Sequence, residues 1–415
     1  MRSSLFQIIL LLAMACLTAC QSGGDVPSPD EAKVRQDIVL TKAELGLVAG
    51  SNTFAFDLLR NVAAKGADES HLVLSPLSAG LAFGMLGNGA AGATLSEISR
   101  TFGFADASQE AINDYYLKML TELKAADPDV ALESANSIWV NKDFQPRDAF
   151  VKVNRDKFDA EVRREDFGNP ATLGLINGWC ADKTHGKIYE ILDKTSSDAM
   201  LYLLNALYFK GEWSRPFDKE LTQNDADFAN YDGTVGRVAM MHGKQLMKYG
   251  EWPGFKMAEL PYGNEAFSMV VVLPDADASV ASVLETLDAS AWDDCLSRLS
   301  AREVALSFPR MSLEYEIELK DVLKTLGLEL IFDPYQADFS GISEKQLFVS
   351  MVKQKATLDV NEEGSEAAAV TVIEVMTSSG EPSENLSLTL NRPFLFFIKE
   401  KSTGLILFEG LARKF

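Results

Sequence analysis

The spacing of apolar residues changes character about a third of the way along the chain, and that change limits the fold more than any other feature. Early on, apolar side chains recur every three or four positions. Phe54, Phe56, Leu58, Leu59 and Val62 make one such run, and Leu77, Leu81, Met85 and Leu86 the next. That is the period of a helix with one buried face. Asn52 is expected to cap the first run and Ser75 the second, with Pro76 in the first helical turn. Further helices are expected at about 92–102, 109–124, 147–158 and 169–183. From about residue 131, strand patterns enter. Ser137 to Val140 and Met200 to Phe209 are apolar enough for strands covered on both faces. Phe267 to Leu273, Val304 to Phe308, Leu347 to Val360, Pro393 to Ile398 and Leu405 to Phe408 are the others. Helices first and strands later predict an α+β fold rather than regular βαβ alternation.

No internal repeat or second low-complexity linker follows residue 45, which predicts a single domain over 45–415. With 415 residues, 47% of them hydrophobic, the chain can bury a large core, so general disorder is excluded. The 39 Lys and Arg against 60 Asp and Glu leave a net charge of −21. Phosphate affinity needs clustered cations, so this balance argues against a nucleic-acid partner and against docking by charge on anionic membranes or polysaccharides. His71, His185 and His242 are the only histidines, and none sits at metal-ligand spacing. Neither a metal nor a cofactor is expected.

The first nineteen residues predict an export signal. Arg2 precedes an apolar stretch from Leu5 to Ala15 that is too short to span a bilayer. Leu17-Thr18-Ala19-Cys20 resembles a bacterial lipobox, whose cysteine is lipidated and becomes the mature N-terminus. Cys16 fits less well, because Ala13 stands where a branched apolar residue is expected. Residues 20–44 are then a lipidated, flexible tether, and the protein an exported lipoprotein anchored through Cys20, facing the periplasm or the cell exterior. Cys180 and Cys295 are expected as buried free thiols rather than a disulfide.

Several motifs imitate catalytic sites. Gly87 to Gly92 matches GxGxxG, but a helix enters it where dinucleotide binding requires a strand, so a helix-to-helix turn is expected. Ser350 and Lys353 match SxxK, Tyr262-Gly263-Asn264 matches YxN, and Lys401 to Gly404 loosely matches KTG. Acyl-transferase chemistry puts SxxK on one helix face and first in the chain. Here it lies in a strand pattern and comes after YxN. No catalytic constellation remains, and the chain is not expected to be an enzyme.

Gly364 to Leu386 joins two good strand patterns through small, branched and turn-type residues, and connections of that length are usually functional. Its start, Asn361-Glu362-Glu363-Gly364-Ser365-Glu366-Ala367-Ala368-Ala369-Val370-Thr371, resembles the reactive-loop hinge of the serpins. Companions follow in serpin order: Ser75-Pro76-Leu77-Ser78, Asn205 to Trp213, Asp338 to Ile342, Arg392 to Phe396 and Leu407 to Gly410. The resemblance spans about residues 45–415. It implies three β-sheets, eight or nine helices and an exposed reactive-centre loop over about 362–386. It also implies inhibition of serine-type endopeptidases by suicide substrate. The protease cuts the loop, and the loop enters the central sheet as a strand before the acyl-enzyme can deacylate.

The hinge residues can be set against that expectation. Ser365, Ala367, Ala369, Thr371, Ile373 and Val375 share one parity, which is uncharged and begins small, as an inward face requires. Glu366 and Glu374 fall on the other. The resemblance places Ser75, Ser78 and Asn205 in a polar cluster where the sheet parts, with Gln354 replacing the family's histidine. It pairs Glu362 with Arg310 beside Trp213. Family spacing puts the scissile bond at Ser378–Ser379, and bonds following Val375, Met376 and Thr377 stay open. No Lys or Arg occurs between Glu363 and Asn391. Targets with small or apolar preference are therefore expected: elastase-, chymotrypsin- or subtilisin-like serine proteases, and papain-like cysteine proteases as a further option. The segment Tyr115 to Lys124 offers only Lys118 and Lys124, so no glycosaminoglycan is expected, and the chain is expected to be a monomer. The alternative is a non-inhibitory serpin acting as a surface binding or chaperone-like lipoprotein.

Overall fold

A computed structural model describes residues 35–66, 69–365 and 386–415. The described residues contain nine α-helices: α1 (Lys42–Lys65), α2 (Pro76–Gly87), α3 (Gly92–Thr101), α4 (Gln109–Ala125), α5 (Asp148–Phe158), α6 (Ala171–Lys183), α7 (Val280–Thr286), α8 (Ala289–Arg298) and α9 (Lys320–Thr325). Ser75 caps α2 by accepting from the Ser78 amide, with Pro76 at the first helical position, as its sequence predicts. The first helix begins earlier than expected. Thr41 and Glu44 form a reciprocal capping box at Lys42, while Asn52 lies buried inside α1. Its amide holds the last hairpin instead, donating to Gly404 O and accepting from the Ile406 amide.

Strands fall into three sheets. The largest contains β1 (His71–Leu74), β5 (Gln223–Ala229), β6 (Val235–Trp252), β7 (Phe255–Tyr262), β8 (Phe267–Pro274), β9 (Ser300–Pro309), β13 (Leu386–Thr389), β14 (Phe394–Glu400) and β15 (Ile406–Ala412), in the order β1-β15-β14-β8-β7-β6-β9-β13 with β5 on β6. A second sheet runs β12 (Gly364–Ser365), β4 (Leu201–Glu212), β2 (Val130–Asn141), β3 (Glu161–Glu165). The third is the antiparallel pair β10 (Met311–Glu318) and β11 (Lys353–Val360). β8, β14 and β15 are buried at every position, which is why they read as unbroken apolar runs. Phe56 of α1, Trp292 of α8 and Phe397 of β14 pack ring against ring where helices meet the large sheet.

One junction matters for function. β4 pairs with β2 from Leu201 to Gly211, and β11 pairs with β10 along its whole length. Among the described residues no ladder joins β4 to β11, although residues of both line one cleft.

Other expectations are adjusted. The expected tether ends before residue 35, because Gln36 N donates to Ala126 O and Ile38 is buried with its amide on Ser402 Oγ. The expected strand Leu347 to Val360 shortens to Lys353–Val360, since the Val349 amide is taken by Ile331 O outside any sheet. Gly87 to Gly92 is the turn between α2 and α3, with Gly92 at φ +53°. Cys180 and Cys295 are free and buried in separate apolar clusters, and burial pushes the Cys180 thiol up to about 12. The export signal, Cys20 and residues 21–34 lie outside the described residues.

Candidate functional site

The site begins where β11 ends. Asn361 turns the chain, its amide donating to Gly364 O and its side-chain oxygen accepting from the Glu363 and Gly364 amides. Gly364 takes φ +150°, and a Cβ there would stand 2.2 Å from Gly211 O and 2.6 Å from the Glu212 Cα. Only glycine lets the backbone lie this close to β4. Gly364 and Ser365 then pair antiparallel with Glu212 and Gly211. Ser365 is buried, with its hydroxyl 2.8 Å from the Tyr262 hydroxyl. Tyr262 stacks on Trp213 with ring centroids 4.4 Å apart. The Trp213 indole N–H donates to Asn361 O at 3.0 Å, and its amide to Glu363 O at 2.7 Å.

Glu362 is buried, and its Oε1 is shared by two donors. It accepts from Arg310 at 2.5 Å and Thr222 at 2.7 Å, and its carbonyl accepts from the Phe217 amide. Burial pushes its carboxyl up, but the Arg310 and Thr222 hydrogen bonds outweigh that and hold it below the ordinary carboxylate range. Glu363 pairs with Lys219. The structure thus brings together Glu362, Arg310 and Trp213 and adds Lys219, Thr222 and Tyr262. Lys219 and Thr222 stand some 140 residues from their partners and carry no local signal. Tyr262 stood out in the sequence only through the misleading YxN match.

The expected polar cluster divides. Gln354 and Ser75 form a buried two-way clasp: Ser75 N donates to Gln354 Oε1 at 3.2 Å, and Gln354 Nε2 donates to Ser75 O at 2.8 Å. Ser75 Oγ joins it to β15 by donating to Leu407 O, and accepts from the Ser78 amide. Asn205 is not with them. It faces its cross-strand partner Asn136 on β2, donating to Asn136 Oδ1 at 2.8 Å and to Ser134 Oγ at 3.0 Å. Its own Oδ1 is buried without a partner among the described residues.

Behind Tyr262 a tight turn supports the hinge. Gly263 and Glu265 both take positive φ. Buried Asp127, just past α4, accepts from the Asn264 amide at 2.6 Å, and Gly263 N donates to Glu212 O. Lys118 of α4 is occupied by Val39 O and Glu44. Lys353, the SxxK lysine, pairs with Glu316 and Asp193. Residues Glu366, Ala367, Ala368, Ala369 and Thr371 of the expected hinge, and Val375, Met376, Thr377, Ser378 and Ser379 around the expected scissile bond, lie outside the described residues.

This geometry meets a consistent set of likenesses. Residues 49–414 match the family model described as serpin (serine protease inhibitor). The chain belongs to the serpin family. Among relatives, this serpin is 35% identical to Iripin-5 of Ixodes ricinus, covering 90% of this chain and 96% of the relative. It is 33% identical to intracellular coagulation inhibitor 2 of Tachypleus tridentatus, covering 88% and 90%. Among solved structures, it resembles the thermophilic serpin tengpin in its native state with a TM-score of 0.82 at 30% identity, covering 92% and 97% of the two chains. Human thyroxine-binding globulin complexed with its hormone scores 0.81 at 26% identity, covering 89% and 98%. The fold is that of these neighbours, with its three sheets and nine described helices.

Proposed function

We propose that this serpin is an irreversible suicide-substrate inhibitor of serine-type endopeptidases that accept small or apolar side chains. The observation that carries the reading is the pairing of Gly364 and Ser365 with an edge of β4 that, among the described residues, is otherwise unpaired, opposite an edge of β11 with no ladder among them. These two residues are a started strand. Continuing their register sends the uncharged parity Ala367, Ala369 and Thr371 inward after Ser365, where a packed interior accepts small side chains. Cleavage near Ser378–Ser379 frees the loop to follow and carries the acylated protease with it. The absence of Lys and Arg between Glu363 and Asn391 leaves nothing for a protease pocket built around an aspartate. One relative's name, a coagulation inhibitor, agrees with an inhibitory role. We place the protein on a membrane through lipidated Cys20, as a monomer.

The test mixes a soluble chain beginning at Gly23 with pancreatic elastase in equal molar amounts. An adduct resistant to SDS at the summed mass is expected, and the mass of the released C-terminal fragment gives the scissile bond. Cleavage without adduct and without a rise in melting temperature would overturn the reading in favour of a non-inhibitory serpin. Potent inhibition of trypsin with cleavage inside this loop would overturn the specificity. Cys20→Ser should move the protein from the membrane fraction to the soluble fraction.

A further inference from the structure

Residues 35–39 form a strap across the body. Gln36 N donates to Ala126 O just past α4, and Ile38 is buried with its amide on Ser402 Oγ at 2.9 Å. Ser402 Oγ in turn donates to Glu400, a fully buried carboxylate that also accepts from the Ser402 and Thr403 amides. Lys118 of α4 donates to Val39 O at 2.6 Å. Hydrogen bonds of this kind, several of them charge-assisted, fix where the chain joins the body. The turn Lys401 to Gly404, which imitated a catalytic motif, is one of the moorings.

The strap lies beside the hinge. Arg35 donates to Glu265 O at 3.3 Å, and Lys401 pairs with Glu265 Oε2 at 2.8 Å. Glu265 belongs to the turn whose Gly263 amide donates to Glu212 O, and Glu212 is the β4 residue opposite Gly364. The other end of the reactive loop is held nearby, since Arg310, one residue beyond β9, bonds to Glu362 while β9 carries β13. The strand slot runs the other way. The twelve residues of β4 lead back from Glu212 to Leu201, and β11 starts at Lys353. The far end of the slot is therefore about 36 Å from the hinge.

Upstream of Arg35, the expected tether from Cys20 to Val34 counts fifteen residues, among them Ser, Gly, Pro and Asp. A coil of that length spans about 20 Å on average and about 50 Å at full stretch. A body that cannot enter lipid, hung from one corner by so short a chain, keeps that corner nearest the bilayer. The net charge of −21 offers anionic lipid no net attraction that would turn another face toward it.

We propose that the membrane lies at the hinge end of the body. The strap moors the anchored chain beside Glu265, so the reactive loop is offered in the water layer next to the lipid and the strand slot points away from it. The proposal rests on the reading that Cys20 is lipidated. Under the suicide mechanism, a protease is caught near the lipid and drawn outward along β4.

The test needs no protease. Azidophenylalanine at position 220, beside the Lys219–Glu363 pair, or at position 350, just before β11, carries a click-coupled donor dye; both positions are exposed. The full-length protein is held on phosphatidylcholine vesicles with an acceptor dye on the headgroups. Energy transfer from position 220 is expected to exceed that from position 350 about threefold, and lengthening the tether after Gly24 by about thirty Gly and Ser residues should bring the ratio toward one. Arg35→Ala with Ser402→Ala lets the strap join the tether and should narrow the ratio in the same direction, with circular dichroism establishing that the variant folds. Equal transfer from the two positions, or more from position 350, would overturn the proposal. An unmodified Cys20 in the mass of the purified protein would overturn the anchoring reading instead. Coupling that thiol to a maleimide lipid, with Cys180 and Cys295 buried, then decides the orientation by the same ratio.

Discussion

The hydroxyl of Tyr262 meets the hydroxyl of Ser365 at 2.8 Å in the protein interior, and this contact, with the β4 pairing, turns Ser365 inward. Ser365 points beneath the sheet from a site 1% exposed, with Gly211 opposite it on β4. A charged side chain there has no route to water. Ser365→Arg should therefore leave the protein cleavable but unable to insert, because burying an unpaired cation costs several kcal/mol (roughly 3–5 by analogy with broken buried pairs). A gel should show cleaved product in place of adduct, and melting of that product should show no stabilisation. An adduct at the parent yield would mean that inward parity does not control entry.

Glu362 should make hinge anchoring sensitive to acid. Its carboxyl is held below the ordinary range when folded, so its contribution is fully present above about pH 4.5 and is lost as pH falls through the depressed value. Glu362→Gln should remove that pH dependence and loosen the hinge by about 1–2 kcal/mol, discounted because Arg310 is half exposed. Trp213, bonded to Asn361 O and stacked on Tyr262, supplies the measurement. Its emission, isolated by comparison with Trp213→Phe, should change on acidification in the parent and be altered already at neutral pH in Glu362→Gln.

Asp127 and Gly263 should fail to add. A Cβ at Gly263 would lie 2.7 Å from Asp127 Oδ2, and the residue already takes φ +48°. Gly263→Ala alone meets both strain and contact. Asp127→Ala alone removes the acceptor of the Asn264 and Asp129 amides, which costs about 1–3 kcal/mol. In the double variant the contact is gone, so its loss in stability should be smaller than the sum by about 0.5–1 kcal/mol or more. Unfolding rates in denaturant measure the difference, and strict additivity would show that the two residues do not meet.

Glu409 should be a liability at neutral pH. It is fully buried on β15, both carboxyl oxygens lack partners among the described residues, and burial pushes its carboxyl well above the usual range. An acid raised on folding binds its proton more tightly in the folded state. Stability should therefore decline as pH rises above about 4.5, where the unfolded chain ionises first. Glu409→Met should slow unfolding at pH 7 by an amount equivalent to about 1–3 kcal/mol and flatten that slope. Unfolding rates at pH 5 and pH 7 in both proteins check the sign.

The described start of the expected hinge, Asn361 to Ser365, was legible because its requirements are local. A glycine to approach β4 and a small residue after it sit within one stretch of sequence. α2 was legible for the same reason, since Ser75, Pro76 and Ser78 cap it among themselves. Tyr262, Lys219, Thr222 and Asp127 were not, because tertiary contacts bring them in from distant parts of the chain. Asn205 shows the limit of resemblance. It was expected beside Ser75 and Ser78, but its contacts are set by the β2 register, which seats it against Asn136. Strand β6 escaped notice because Gly236, Gly243 and Gly250 interrupt its alternation, and a strand with gaps in its pattern reads as loop.

The two ends of the reactive loop belong to different sheets. Ser365 starts on β4, while Leu386 to Thr389 hold a four-residue parallel ladder against β9 in the large sheet. An intact loop cannot feed its full length into the slot while both ends are fastened. Under the proposed mechanism, cutting supplies the slack within one turnover of the protease. Without a cut, the slack comes from unpairing β13. On that reading, the strength of this four-residue ladder sets how long the uncut protein keeps, and a stock kept warm ages at the rate at which the ladder opens.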